Sequence, residues 1–388
     1  MAGPAKSSAQ IRLLLVEDVG QVARYIRGVL NAQSNVKLLD VVTDGSTVVE
    51  QIREQQPDVL VVDALLTGKL NGLQVAELVR QSGLDLPIIA LTVPQKPVAV
   101  GNGMGVVRVL SMPFSGFDFM STLQQVTAEH RATSPEALSR TIAVYGAKGG
   151  VGTSTMAYNL AVGMARPRVH RVALIDGSMQ FGDLRALLQV PPTSRSMVDL
   201  PTDHLTQAEI AEVMYSDANS VDILLAPPRV EDAEMITVRD FEKILSLVRR
   251  MYNIVVIDTP TSVSDLTLAY FDSADTIVQV VTGEVSTLRQ SAIMAATFSA
   301  IGFPPEKVRY LLNRANAAGS VDDSTVRQYL GRVPEMHVAN DGKLVREANN
   351  RAQSVIAASP QSNVAHDLMH AARALTESVP VARRPVTV

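Results

Sequence analysis

Residues 145–161, "YGAKGGVGTSTMAYNLA", place four glycines between an apolar run and a helix-forming stretch. This composition suits a loop whose backbone N–H groups converge on phosphate oxygens at a helix N-terminus. The usual spacing is G-x-x-x-x-G-K-[ST]. Gly152 and Ser154 fill the second glycine and hydroxyl positions, but Thr153 stands in the lysine position and Ala147 in the first glycine position. A lysine occurs five residues early, at Lys148. The backbone donors of Gly149, Gly150, Val151, Gly152, Thr153, Ser154 and Thr155 do not depend on the missing side chain, and the Ser154 hydroxyl can still coordinate magnesium. The loss is one charge-assisted contact, about 1.5–3 kcal/mol. ATP or ADP with Mg2+ is therefore expected to bind more weakly rather than not at all.

Two acids fall where such a loop needs them. Asp176 ends "RVALID" and Asp258 ends "NIVVID", each after four apolar residues. The carboxyl ends of parallel strands form the rim where ligands bind in such sheets, and an acid there can manage magnesium or orient water. Either acid alone is compatible with a solvated strand end. Together with the loop they make Lys148, Asp176 and Asp258 the candidate catalytic groups, and Ser154 and Asp258 the candidate metal ligands.

A second constellation lies upstream. Glu17 and Asp18 follow "IRLLLV", Asp63 ends "VLVVD", and Thr92 follows "PIIAL". Three carboxylates at one sheet edge can hold a magnesium ion, a hard cation that prefers oxygen. The pattern resembles a response-regulator receiver with Asp63 as phosphoacceptor. It departs from one at Met112, where a receiver carries lysine before proline, and at Thr67, in the usual proline region. The spacing from Asp63 to Gly72 is also one residue long. Methionine cannot neutralise a phosphoryl group, so a module for protein contacts is expected, with Asp63 left unphosphorylated.

These residues need two α/β units to position them. Four- to six-residue apolar runs fit buried parallel strands. They occur at 11–16, 36–42, 59–62, 87–91 and 106–110, then at 141–145, 171–176, 221–226, 253–258, 276–281 and 308–313. Helical patterns are expected at 116–129, 154–165, 237–251, 286–301, 343–351 and 363–376, and none across the Pro/Gly-rich stretch 93–105. The predicted fold is a receiver-like (flavodoxin-like) five-stranded parallel sheet over 1–130. A joint at 131–139 leads to a larger, mostly parallel, doubly wound P-loop domain over 140–378, and 379–388 form an unstructured tail. In the last helix Val364, Leu368, Met369, Ala372 and Leu375 share one side without a Lys/Arg-rich opposite face, so packing on the core is expected rather than membrane targeting.

Bulk composition excludes several classes. The 388 residues include no Cys, which rules out disulfides and cysteine-ligated clusters. Six scattered histidines show no zinc spacing. Net charge is −4; residues 1–139 hold 11 Lys/Arg against 13 Asp/Glu, and the rest hold 24 against 26. Neither part is basic enough to announce nucleic acid. The start "MAGPAKSSAQ" has no apolar signal segment, and no run is long enough to span a bilayer. A cytoplasmic protein without direct membrane insertion is expected.

Four segments carry a closer resemblance: "KGGVGTST" (148–155), "LIDGSMQFGDLRALL" (174–188), "YNIVVIDTPTSVSDLTLAYFDSAD" (252–275) and "LLNRAN" (311–316). Together they resemble the MinD/ParA group of deviant Walker ATPases, and within it the TadZ/CpaE proteins of Tad/Flp pilus assembly, which also carry a receiver-like N-terminal domain. The resemblance implies an ATP-sandwiched homodimer with Lys148 reaching across it, Ser154 on magnesium, and Asp176 and Asp258 managing magnesium and water. It places Asn313 and Arg314 near the adenine. Its implied partners are pilus and secretion proteins, with recruitment to the inner membrane face or a cell pole. Ser178 departs from the group, which carries a second acid there in D-x-D, so hydrolysis is expected to be weak or absent. The alternatives are a ParA/MinD-type ATPase partitioning DNA or another cargo, and a two-component regulator with an ATPase output.

Overall fold

Six stretches of the chain are described by the computed structural model: residues 10–31, 35–97, 105–133, 138–201, 205–377 and 379. They divide into two units, Met1–Ser134 and Pro135–Val388.

In the first unit each expected apolar run is a strand: β1 Ile11–Val16, β2 Val36–Val42, β3 Val59–Asp63, β4 Ile88–Thr92 and β5 Val106–Ser111. All pairings are parallel and the order is β2-β1-β3-β4-β5. Alternate residues of these strands feed two cores. Leu13, Leu15, Val59, Val61, Ile89 and Leu91 meet Ile26, Phe119 and Leu123 on one face. Leu14, Val16, Leu60 and Val62 meet Val48, Ile52, Val75 and Val79 on the other. Helices at Gly20–Asn31, Val48–Gln55, Gly72–Gln81 and Gly116–Thr133 cover them. Asn71 caps the third helix in a reciprocal box with Gln74. A Cβ at Gly72 would collide with the Asp63 carbonyl, so glycine is required where that helix crosses the end of β3. The last helix runs past the expected 129 to Thr133, into the expected joint, and residues 134–137 lie outside the described residues. Most of the stretch expected to lack a helix, 98–104, also lies outside them, as does the tail apart from Val379.

The second unit holds β6 Arg140–Tyr145, β7 Val172–Asp176, β8 Tyr215–Ser216, β9 Val221–Leu224, β10 Ile254–Asp258, β11 Thr276–Val281, β12 Val308–Asn313 and β13 Met336–Val338. Their order is β13-β12-β11-β6-β10-β7-β9-β8, parallel except for β8 against β9. On one face the helix Thr153–Ala165 and the last helix, Asn363–Thr376, share a core; Val364, Leu368, Ala372 and Leu375 are buried there and Met369 is partly buried against it. A Cβ at Gly163 would come within 2.8 Å of Ala372 Cβ, which shows how closely the two helices cross. The opposite face is built around Phe241, Ile244 and Tyr270 on one side and Phe271, Phe298 and Tyr310 on the other. Among the described residues, the two- and three-residue strands β8 and β13 were not anticipated. Neither were the helices at Asp183–Leu187, Gln207–Val213, Asp265–Ser273, Asp323–Leu330 and Val355–Ala358. These helices have nine residues at most and these strands three, which leaves little for periodicity to register. No helix among the described residues is long and apolar enough to cross a membrane.

Candidate functional site

The glycine-rich loop leaves β6, which lies between β11 and β10 near the middle of the larger sheet. Gly150 (φ 82°) and Gly152 (φ 94°) adopt the left-handed conformation that lets successive N–H groups turn inward. A Cβ at Gly146 would overlap both Thr153 Oγ1 and Val151 Cγ2. The Thr153 side chain thus packs back against the loop's own base, so the lysine position holds a structural residue. Ser154 follows in the first turn of the helix that opens at Thr153.

The two strand-end acids lie beneath this turn. In the β10–β7 pairing Asp258 is aligned with Asp176, and in the β10–β6 pairing with Val144. Asp176 is 0% exposed and Asp258 1%, so the solvated-strand-end reading fails for both. Asp176 Oδ1 accepts the Ser178 N–H at 3.1 Å, while Asp176 Oδ2 and both oxygens of Asp258 have no hydrogen-bond partner. Burial raises the Asp176 carboxyl to about 7 against the pull of the Ser178 N–H and of the nearby Leu184 N–H, which lies outside hydrogen-bond geometry, and Asp183 adds a smaller push upward. Burial and then the charge of Asp176 push Asp258 well above the usual carboxylate range; the Ser154 hydroxyl beside it, outside hydrogen-bond geometry, pulls the other way. Unsatisfied buried carboxylate oxygens are costly. Under a loop of converging N–H groups they have the donor chemistry of a magnesium site.

Two cavities flank the loop and share Gly152 and Thr155. One of about 1040 Å³ is lined by Gly149, Gly150, Ser154, Ser178 and the acids Asp183, Glu234 and Asp265. The other, about 540 Å³, is lined by Asn313, Arg314, Asn340, Lys343, Arg346 and Asn349. Asn313 and Arg314 brace the loop: Asn313 Nδ2 donates to the Val151 carbonyl at 2.8 Å, and Arg314 Nη2 to the Gly150 carbonyl at 3.1 Å. Asn349 Nδ2 donates to Thr155 Oγ1 at 3.3 Å.

Lys148 does not approach its own loop's donors. Its Nζ donates to Ser286 Oγ at 2.7 Å and pairs with Glu284 at 3.7 Å, where the helix Val285–Ala300 begins. Sequence reasoning missed both partners, which lie more than 130 residues away and carry no motif. It also passed over Asp183, inside the quoted "QFGDL", although a charged residue after a glycine turn was a readable signal.

In the first unit the three acids do converge. Glu17, Asp18 and Asp63 place carboxylate oxygens within 4.8 Å of one another, the one such group among the described residues. Glu17 Oε1 accepts the Val19 N–H and Asp63 Oδ1 the Leu65 N–H, both at 2.9 Å. Asp18 is held by Thr67 through its N–H (2.8 Å) and hydroxyl (2.5 Å), which explains what Thr67 does in the region that departs from the receiver pattern. The Thr92 hydroxyl is committed to the Lys96 carbonyl at 2.6 Å, and Met112 packs against the core. Burial, eased by the Val19 N–H, raises Glu17 to about 7, and its Oε2 has no partner.

A proton on Glu17 competes with a cation. Calorimetric titration with Mg2+, read as the difference between the full chain and its Glu17→Gln variant, should show affinity falling about tenfold per pH unit below 7 and levelling above it. A Mg2+ affinity independent of pH between 5 and 7 would count against a cation held by Glu17.

Residues 13–124 match the response regulator receiver domain family and residues 139–300 match a family described as an AAA domain. An uncharacterised ATP-binding protein of Methanocaldococcus jannaschii is 23% identical over 234 residues, covering 60% of this chain and 86% of that protein. A septum site-determining protein MinD of Mesostigma viride is 29% identical over 230 residues, 56% of this chain and 77% of that one. Response regulator MprA of Mycobacterium leprae is 29% identical over 136 residues, 34% of this chain and 57% of its own length. Among solved structures, a ParA family ATPase from Chlorobium tepidum superposes with TM-score 0.57 at 21% identity, covering 60% of this chain and 98% of that one. The MinD–Mg-ADP complex from Pyrococcus horikoshii does so with TM-score 0.56 at 17% identity, covering 64% and 100%. The architecture is a receiver-like domain followed by a MinD/ParA-like P-loop domain.

Proposed function

We propose that the second unit binds ATP or ADP with magnesium and that the chain acts as a nucleotide-dependent dimeric scaffold, placing the proteins of a Tad/Flp-type pilus and secretion machine. The observation that carries the nucleotide reading is the pair of buried acids, Asp176 and Asp258, with three of their four carboxylate oxygens unpartnered, beneath Ser154 and the glycine loop. Ser154 and Asp258 would hold the ion. The N–H groups from Gly149 to Thr155 would hold phosphate oxygens. Asn313 and Arg314 tie down the Val151 and Gly150 carbonyls, which restrains the loop that would present those N–H groups. A bound Mg-nucleotide supplies a phosphoryl group and two faces that a second copy can close upon. The relative named for ATP binding supports the nucleotide reading and the one named for septum-site determination a positioning role, and the pilus assignment rests on the resemblance of the four sequence segments.

Calorimetry on the full chain should give a Kd for Mg-ADP in the micromolar to low-millimolar range, roughly −4 to −8 kcal/mol. No heat at millimolar nucleotide with magnesium would refute the reading. Cargo is tested separately: steeply salt-dependent retention on nonspecific DNA would favour a DNA-partitioning role instead.

A further inference from the structure

The chain doubles back directly after Asp176. The N–H groups of Gly182 and Phe181 both donate to the Ser178 carbonyl, at 2.8 and 3.2 Å, so one tight turn returns the backbone to the rim it has just left. Gly182 sits at φ 25° and ψ 60°, and a Cβ there would lie 3.6 Å from Asp176 Oδ2. Asp183 comes next. It is exposed, and it lines the same cavity as Gly149, Gly150, Ser154 and Ser178. It is also near enough to Asp176 and Asp258 to push both carboxyls upward.

The three acids are not equivalent. Asp176 is buried and gives one oxygen to the Ser178 N–H; Asp258 is buried below Ser154. Neither faces the cavity's solvent. The Ser178 hydroxyl is no base. Among the described residues three acids line this cavity, Asp183, Glu234 and Asp265, and of these Asp183 is the one that directly follows the turn from Ser178 to Gly182 in the chain.

We propose that Asp183 supplies the acid–base function that position 178 lacks, accepting a proton from the water that attacks a nucleoside triphosphate in this cavity. The inference rests on the nucleotide reading above. The water oxygen bonds to the terminal phosphorus while the bond from that phosphorus to the bridging oxygen breaks, its electron pair leaving with the diphosphate. Asp183 then returns the proton to the inorganic phosphate and is again a carboxylate.

The test uses the full chain as wild type, Asp183→Asn, Asp183→Glu, and the transplant Ser178→Asp with Asp183→Asn. Calorimetry should find that all four still bind Mg-ATP, so that turnover is compared at saturating nucleotide. Turnover should fall about 100-fold or more in Asp183→Asn, recover in part in Asp183→Glu, and recover in the transplant. By sedimentation velocity, any ATP-dependent assembly should outlast the wild type's in Asp183→Asn, an outcome that a merely structural aspartate at a helix start would not produce. Asp183→Asn turnover within threefold of wild type would overturn the proposal. So would a wild type that binds Mg-ATP with no turnover at all. A wild type that binds no Mg-ATP would overturn the nucleotide reading itself, and calorimetry separates that failure from the others.

Discussion

Replacing Asp258 with Asn should raise the melting temperature of the nucleotide-free second unit while abolishing its response to Mg-nucleotide. The opposite signs follow from burial. Asp258 has both oxygens unpartnered and lies in strand register with Asp176, whose carboxyl is itself raised to about 7. A folded-state pKa above the unfolded value means stability that is fully present below about pH 4 and is lost as pH rises through the folded value. For Asp176 the rise is about three units, on the order of 4 kcal/mol of unfavourable work above pH 7. An amide at position 258 removes one charge and relieves the other, at the smaller cost of an unsatisfied neutral group. Recovery of about 2 kcal/mol would lift the transition by roughly 4–8 °C for a unit of this size. It should also flatten the decline between pH 5 and 8. In the wild type, Mg-ADP at 100 times its Kd should add about 2.7 kcal/mol; in the variant it should add almost nothing. Thermal melts at pH 5, 6.5 and 8, with and without Mg-ADP, read both effects. A variant that melts below the apo wild type, or that keeps the ligand shift, would show that Asp258 is a structural acid and not a metal ligand.

Tension between stability and binding is also where sequence reading reached its limit. The apolar runs before Asp63, Asp176 and Asp258 made the strands legible and put each acid at a carboxyl end, because a buried parallel strand needs apolar residues on both faces. Depth was not legible. The same six letters, "NIVVID", are compatible with a solvated terminus or with an aspartate 1% exposed, and only the helix Thr153–Ala165 and its loop, more than 90 residues upstream, decide which. The empty lysine position was visible at once, but not that Thr153 packs back against Gly146. In the first unit the three acids meet at one sheet edge, as strand-end spacing suggested, yet the capture of Asp18 by Thr67 depended on a loop 49 residues away. Local spacing reveals which residues can do chemistry; long-range contacts decide which are free to do it.

Lys148 shows the same distinction and carries the last expected result. Lys148→Ala should weaken ATP-dependent self-association about 10- to 150-fold, and Glu284→Gln should strengthen it modestly. The side chain is engaged on its own chain, donating to Ser286 Oγ at 2.7 Å and pairing with Glu284 at 3.7 Å, both partners at the start of one helix. That contact is inexpensive to leave: the lysine and glutamate side chains are 36% and 58% exposed, and such pairs contribute about 0–1 kcal/mol. A desolvated contact to a partner's phosphate is worth more, about 1.5–3 kcal/mol. The lysine therefore has reason to leave Glu284 once a second copy brings nucleotide within reach, and Gly149 and Gly150, with open space around both, let the loop follow. Breaking the resting pair beforehand removes a cost of up to about 1 kcal/mol, so Glu284→Gln should tighten assembly by at most about fivefold. Linkage then requires nucleotide affinity to change by the same factors as self-association. Sedimentation velocity across a concentration series, with and without Mg-ATP, measures one side of that equality and calorimetry the other. If Lys148→Ala assembles with ATP as readily as wild type, the lysine is bound to Ser286 and Glu284 for structural reasons alone. If only Glu284→Gln is silent, the lysine crosses to the partner but the resting contact does not restrain it.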